Sequence, residues 1–148
     1  MIVYVNGDSH SAGAEAVNSY CFAEDDSRYH DLGRVPHPDN LRVSYGRRIA
    51  DYLDASLVCD AESASSNHRI IRTTWQHLQG VQGWPVVKPD LIIIGWSTWE
   101  RKEFQDPETG QYWQVNAGGI GHDWPKWLQD QYPKWLSEVN WAQETRSA

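Results

Sequence analysis

Apolar positions in the first hundred residues fall into short runs separated by polar or helix-period stretches. Ile2–Asn6 is β-branched and aromatic and stops at Gly7, which predicts a buried strand ending in a tight turn. Residues 12–22 are compatible with a helix, whereas residues 24–40, with Asp25, Asp26, Gly33, Pro36 and Pro38, hold no period and predict a long surface excursion. Ser44 is placed to cap a helix running to residue 54, with Tyr45, Ile49, Tyr52 and Leu53 on one face. A second strand follows at Ser56–Cys59. Ser66 is placed to cap a further helix with Ile70, Ile71, Trp75 and Leu78 as its buried stripe and Gly80 just past its end. Leu91–Ile94, entered through Pro89 and Asp90 and closed by Gly95, is apolar on both faces, the pattern of a central parallel strand covered by helices.

Strand, helix, strand, helix, strand makes two βαβ units, and right-handed crossovers give the strand order 2-1-3. In such sheets ligands bind beyond the carboxyl ends of the strands, where the loops of residues 7–10, 60–67 and 95–101 converge. Beyond Gly95 no further β-branched run occurs; Tyr112–Asn116 carries a weak strand signal. From Trp124 the residues Trp124, Trp127, Leu128, Tyr132, Trp135, Leu136 and Val139 follow helical spacing, with Asp123 as cap, Pro125 at the first helical position and Pro133 expected to kink or restart the helix. A chain of 148 residues without repeats reads as one domain.

The net charge of -7 leaves no basic face for a phosphate backbone, which argues against nucleic acid as a partner. The apolar run at the N-terminus is too short for a signal peptide or a membrane span, so a soluble cytoplasmic protein is expected. Cys21 and Cys59 are too few and too widely spaced for a disulfide framework or a zinc knuckle, and are read as buried free thiols. Nine tryptophans, five of them at or after Trp113, fit a core or an interface first and sugar stacking second.

Gly7-Asp8-Ser9-His10 directly follows the first strand. A serine on a sharp strand-to-helix turn presents its hydroxyl at the sheet edge, as a nucleophile requires; equally, Asp8 or Ser9 there can simply cap the helix. No glycine-rich phosphate loop is present, so no nucleotide cofactor is expected. Asp8, His10 and His68 offer three N and O donors near the strand ends, but no metal is expected. In Glu100-Arg101-Lys102-Glu103, a solvated helix start on the simplest reading, Arg101 lies near enough to the mouth to meet an anionic group.

Taken together, the three loops resemble the SGNH hydrolases, also called GDSL-like hydrolases, over roughly the first two-thirds of the chain. The resemblance implies a flavodoxin-like three-layer α/β/α fold with Ser9 as acyl-accepting nucleophile. Within Ala-Glu-Ser-Ala-Ser-Ser-Asn-His-Arg-Ile (residues 61–70), Ala64 stands where the family has an oxyanion-hole glycine. Ser97, with Thr98 beside it, stands where the family has an oxyanion-hole asparagine. Asp8, His10, Asn67, Thr98 and Arg101 would line the substrate site.

The family's Asp-x-x-His, which supplies base and acid, has no match after Ser97; the later histidine is His122, followed by Asp123. The Gly95-to-Trp region is similar to longer SGNH-like proteins of bacteriophage and bacterial genomes. This chain would then be a shortened form whose Trp stripe has lost its cover, active in the host cytoplasm if phage-encoded; alternatively His122 swings in as base. The expected activity is ester hydrolysis without a cofactor. The alternative is an inactive SGNH-like module, a phage accessory or structural protein, binding a carbohydrate or a protein partner. A third reading has the C-terminal Trp stripe completing a homo-oligomer.

Overall fold

The computed structural model describes residues 1–23, 35–81, 86, 88–120 and 124–147, with side chains of the last helix described as far as Val139. Among the described residues ten elements follow one another: β1 (Ile2–Asn6), α1 (Ser9–Ala12), α2 (Pro38–Val43), α3 (Tyr45–Tyr52), β2 (Ser56–Cys59), α4 (Asn67–Gln79), β3 (Leu91–Ile94), β4 (Arg101–Gln105), β5 (Tyr112–Asn116) and α5 (Lys126–Ser147). β1, β2 and β3 form a parallel sheet in the order 2-1-3, with Tyr4 opposite both Val58 and Ile92. The chain is therefore an α/β protein with the expected order.

Alternation along β1 sends its side chains to two different layers. Val3 and Val5 face α3 and pack with Ala50, Leu53, Leu57, Cys59 and Ile93. Helix and strand approach closely because α3 presents Gly46, whose Cβ would stand 2.9 Å from Val5 Cγ2. Burying each valine there is worth about 1.5–3 kcal/mol. Gly46 and Ala50 are thus the buried positions of α3, while Tyr45 and Tyr52 of the expected stripe are exposed. Ser44 does cap this helix, its Oγ accepting from Arg47 N–H at 3.2 Å.

Tyr4 and Asn6 face α4 instead, and this layer is polar. Asn6 Nδ2 donates to Thr73 Oγ1 at 2.8 Å and Thr74 Oγ1 at 2.9 Å. The Tyr4 hydroxyl donates to Asp60 Oδ2 at 2.7 Å, and that carboxylate also pairs with His77 Nδ1. Burial, and then the Asp60 charge, push the Tyr4 phenol well above its usual range. Arg69 bonds Glu62 Oε2 at 2.6 Å and donates to Asp60 O at 3.0 Å. The expected stripe of α4 is corrected accordingly. Ile70 is buried, but Ile71 and Trp75 are 57% and 56% exposed, and the helix buries Arg69, Thr73, Gln76 and His77 against the sheet. Its ends are as expected, with Ser66 Oγ accepting from Arg69 N–H and Gly80 in the left-handed region at φ 65°.

Three further expectations change. No helix forms over residues 13–22; the single turn α1 ends at Ala12, closed by Gly13 at φ 69°, where a Cβ would meet Asn40 O at 2.7 Å. The turns after it are tied to Asn40, whose side chain accepts from Val17 N–H and Asn18 N–H and donates to Tyr20 O. The polar excursion ends earlier than expected, in α2, which Pro38 opens at its first turn. β3 is an edge strand among the described residues, with β1 at the centre, and its Leu91 and Ile92 are 37% and 44% exposed rather than covered.

The C-terminal region builds a second core. β4 and β5 pair antiparallel, Phe104 opposite Trp113, so the weak signal at Tyr112–Asn116 is a strand. α5 lies on this hairpin through Leu128, Tyr132, Trp135 and Val139, which pack with Val115, Phe104 and Trp113. The Trp stripe is covered from within the chain, Trp135 being 6% exposed, in contrast to the open face expected. α5 runs as one helix through Pro133. The expected cap Asp123 lies outside the described residues.

Candidate functional site

Asn6 fixes the turn that presents the serine. Besides its bonds to α4, its Oδ1 accepts from Gly7 N–H at 2.8 Å, so the end of β1 is clamped to the helix behind it. Gly7 is required for contact: a Cβ there would collide with Ser11 Oγ and stand 2.9 Å from Gly95 O. A Cβ on Gly95 would meet the same Ser11 hydroxyl, which accepts from Tyr45 OH at 2.7 Å. The first and third loops are thereby brought together.

Asp8 is the N-cap of α1, its Oδ1 accepting from His10 N–H at 3.1 Å, and Ser9 is the first helical residue. The capping role foreseen for this tetrapeptide falls to Asp8, and Ser9 lines a cavity of about 370 Å³. Ser63, Ala64, Glu15 and Cys21 line the same cavity. Ala64 takes φ 66°, the left-handed conformation that glycine adopts readily and alanine adopts at a cost of about 1–3 kcal/mol. Among the described residues neither the Ser9 N–H nor the Ala64 N–H has a hydrogen-bond partner.

Ser97 is held differently. Its N–H donates to Asn67 Oδ1 at 2.7 Å and its carbonyl accepts from Asn67 Nδ2 at 3.0 Å, which locks the third loop to the start of α4. Its Oγ accepts from Arg101 at 3.0 Å, and the same guanidinium nitrogen reaches Asp8 Oδ2 at 3.3 Å. Asp8, Arg101, Ser97 and Asn67 therefore form one connected network beside the cavity. Ser97 is not among the residues lining it, and Thr98 is exposed beside the network.

The imidazoles are placed as follows. His10 lines the cavity with its side chain largely in solvent and its Nδ1 3.4 Å from Asp8 Oδ1. His68 is exposed on the first turn of α4, and His77 is buried against Asp60. His122 lies outside the described residues. Among the described residues no side chain hydrogen-bonds the Ser9 hydroxyl, and no three His, Cys, Asp or Glu side chains cluster to hold a metal. Cys21 and Cys59 are free and half-buried rather than fully buried. Asn6 and Ser63 were not singled out from the sequence. An asparagine closing a β-branched strand is the one signal that could have pointed to the first, and one serine among the three of residues 61–70 gives none for the second.

A family model matches residues 25–132, most of the chain, a span that holds β2, β3, the Asn67–Ser97–Arg101 network, the hairpin and the start of α5 but not the central β1. The chain belongs to a family of unknown function, DUF6071. No curated protein and no solved structure matches it. The span matched by DUF6071 includes Ala64 and Ser97 but not Asp8, Ser9 or His10. No helix among the described residues is long and apolar enough to cross a membrane.

Proposed function

We propose that the chain is an SGNH-type serine hydrolase of flavodoxin-like architecture acting on a small ester. The observation carrying this reading is that Ser9 and left-handed Ala64 line one cavity and that neither backbone N–H has a hydrogen-bond partner among the described residues. Two amides around a hydroxyl are what an oxyanion needs, since charge develops on the carbonyl oxygen as the serine attacks. Ser9 Oγ bonds to the ester carbonyl carbon, its proton passes to an imidazole, and the carbonyl π pair moves to the oxygen. Collapse expels the alcohol with that proton, and water then releases the acid from the acyl-serine. The family's Asp-x-x-His has no match here; His122 serves as base by swinging into the site, or His10, backed by Asp8, serves as the imidazole that lines the cavity. Ser97 Oγ already accepts from Arg101, so its own proton is available for donation.

Hydrolysis of p-nitrophenyl acetate by the chain and by Ser9→Ala, His10→Ala and His122→Ala variants tests this. Turnover lost in Ser9→Ala and in one histidine variant is the expected result; turnover equal to that of Ser9→Ala throughout overturns it. A second reading, a non-catalytic module binding a carbohydrate or protein partner through the same cleft, is favoured by the absence of any described imidazole bonded to the Ser9 hydroxyl. Its exposed indoles at the strand ends are Trp96 and Trp99.

A further inference from the structure

Ser63 is 8% exposed, lines the cavity beside Ser9, and its hydroxyl has no hydrogen-bond partner among the described residues. A buried hydroxyl brings one donor and two acceptor positions out of water, and native structures rarely leave such a group unmatched. The described residues around it carry short or polar side chains: two hydroxyls, a carboxylate, an imidazole and a thiol, with the methyls of Ala14 and Ala64. A methylene chain gains on binding only by leaving water for apolar surface, and none of the described lining residues is a leucine, isoleucine, valine, methionine, phenylalanine, tyrosine or tryptophan that would wall such a chain.

We infer that the cavity takes a short, hydrogen-bonding acyl or amide group, with the Ser63 hydroxyl as a specificity-determining contact, and does not take a fatty acyl chain. The inference rests on the reading of this cavity as the acyl site of Ser9, yet the occupancy it describes can be measured without turnover. Cys21 lines the same cavity, its thiol donating to Glu15 Oε1 at 3.4 Å, so alkylation of Cys21 reports whether the space is filled. Cys59 serves as internal control, since burial pushes its thiol up to about 11 and keeps it unreactive at neutral pH.

The experiment is iodoacetamide labelling of Cys21, followed by peptide mass spectrometry, with acetamide or hexanamide as the competing probe. Acetamide is expected to slow labelling, and hexanamide to be no more effective at equal concentration. Ser63→Ala is expected to weaken the acetamide protection about fivefold, the loss of one neutral hydrogen bond, and Ser63→Thr to restore it. Hexanamide protecting tenfold better, Ser63→Ala protecting as well as the parent, or no protection by either amide would each overturn the inference. Circular dichroism of both Ser63 variants separates loss of the contact from loss of the fold. Ester turnover against Ser9→Ala, run alongside, decides the hydrolase reading separately, so either can fail while the other stands.

Discussion

Replacing Asn6 by alanine removes a carboxamide that is buried completely and bonded on both sides, to α4 through Nδ2 and to Gly7 N–H through Oδ1. Thr73 can fall back on the Arg69 carbonyl it already contacts, but among the described residues the Gly7 amide has no second acceptor. The expected cost is about 2–3 kcal/mol in chemical denaturation, with loss of whatever Ser9 does, because the turn is no longer clamped. Cys59 makes a second prediction at this scale. Burial against Val3 and Val5 raises its thiol from 9.0 to about 11, so the folded state favours the protonated form. The resulting stabilisation is complete below pH 9 and fades as pH rises towards 11, where the folded-state thiol ionises. A stability–pH profile should fall across that window and flatten in Cys59→Ala.

At the level of elements, the hairpin β4–β5 is fastened to α4 chiefly by charge. Arg72 forms a fork on Glu103 at 2.8 and 2.7 Å, Gln114 adds a bond to Glu103 at 2.6 Å, and the guanidinium sits 3.8 Å over the Tyr112 ring. Because the pair is largely buried, Arg72→Met should cost about 3 kcal/mol by leaving Glu103 uncompensated, and Arg72→Met with Glu103→Met should recover part of it. A double-mutant cycle on denaturation midpoints measures the coupling, and additive losses would mean the hairpin is held elsewhere. The elements themselves were largely legible, since caps and strand ends are chemical signals: Ser44, Ser66, Gly80, Gly7 and Gly95 lie where the sequence placed them. Burial within α4 was not legible. Ile70, Ile71, Trp75 and Leu78 compete there with a stripe of Arg69, Thr73, Gln76 and His77, and the second wins because Tyr4 and Asn6 turn hydroxyl and amide groups towards it. The turn holding Ser9 could be read from one strand and one glycine. Ser63 could not, because its place depends on how the loop after β2 folds back over α1.

Across the whole molecule two apolar cores stand apart. One lies between the parallel sheet and α3, around Val3, Val5 and Ala50; the other lies between the hairpin and α5, around Leu128, Tyr132 and Trp135. The described hydrogen bonds and ion pairs between them are polar: Arg72 with Glu103, Ser66 with Gln114, and Asp8 with Arg101. Nonpolar cores resist opening in proportion to what they bury, whereas polar links of this kind exchange their partners for water once the seam opens. The chain should therefore behave as two cooperative units joined by a polar seam. Native-state hydrogen exchange tests this directly: amides of β4, β5 and α5 are expected to open together, at lower denaturant than those of β1, β2 and α3. A single opening energy shared by all six elements would show that the seam transmits unfolding rather than stopping it. If the seam does stop it, the arginine that leans on Asp8 can leave and return while the serine turn stays folded.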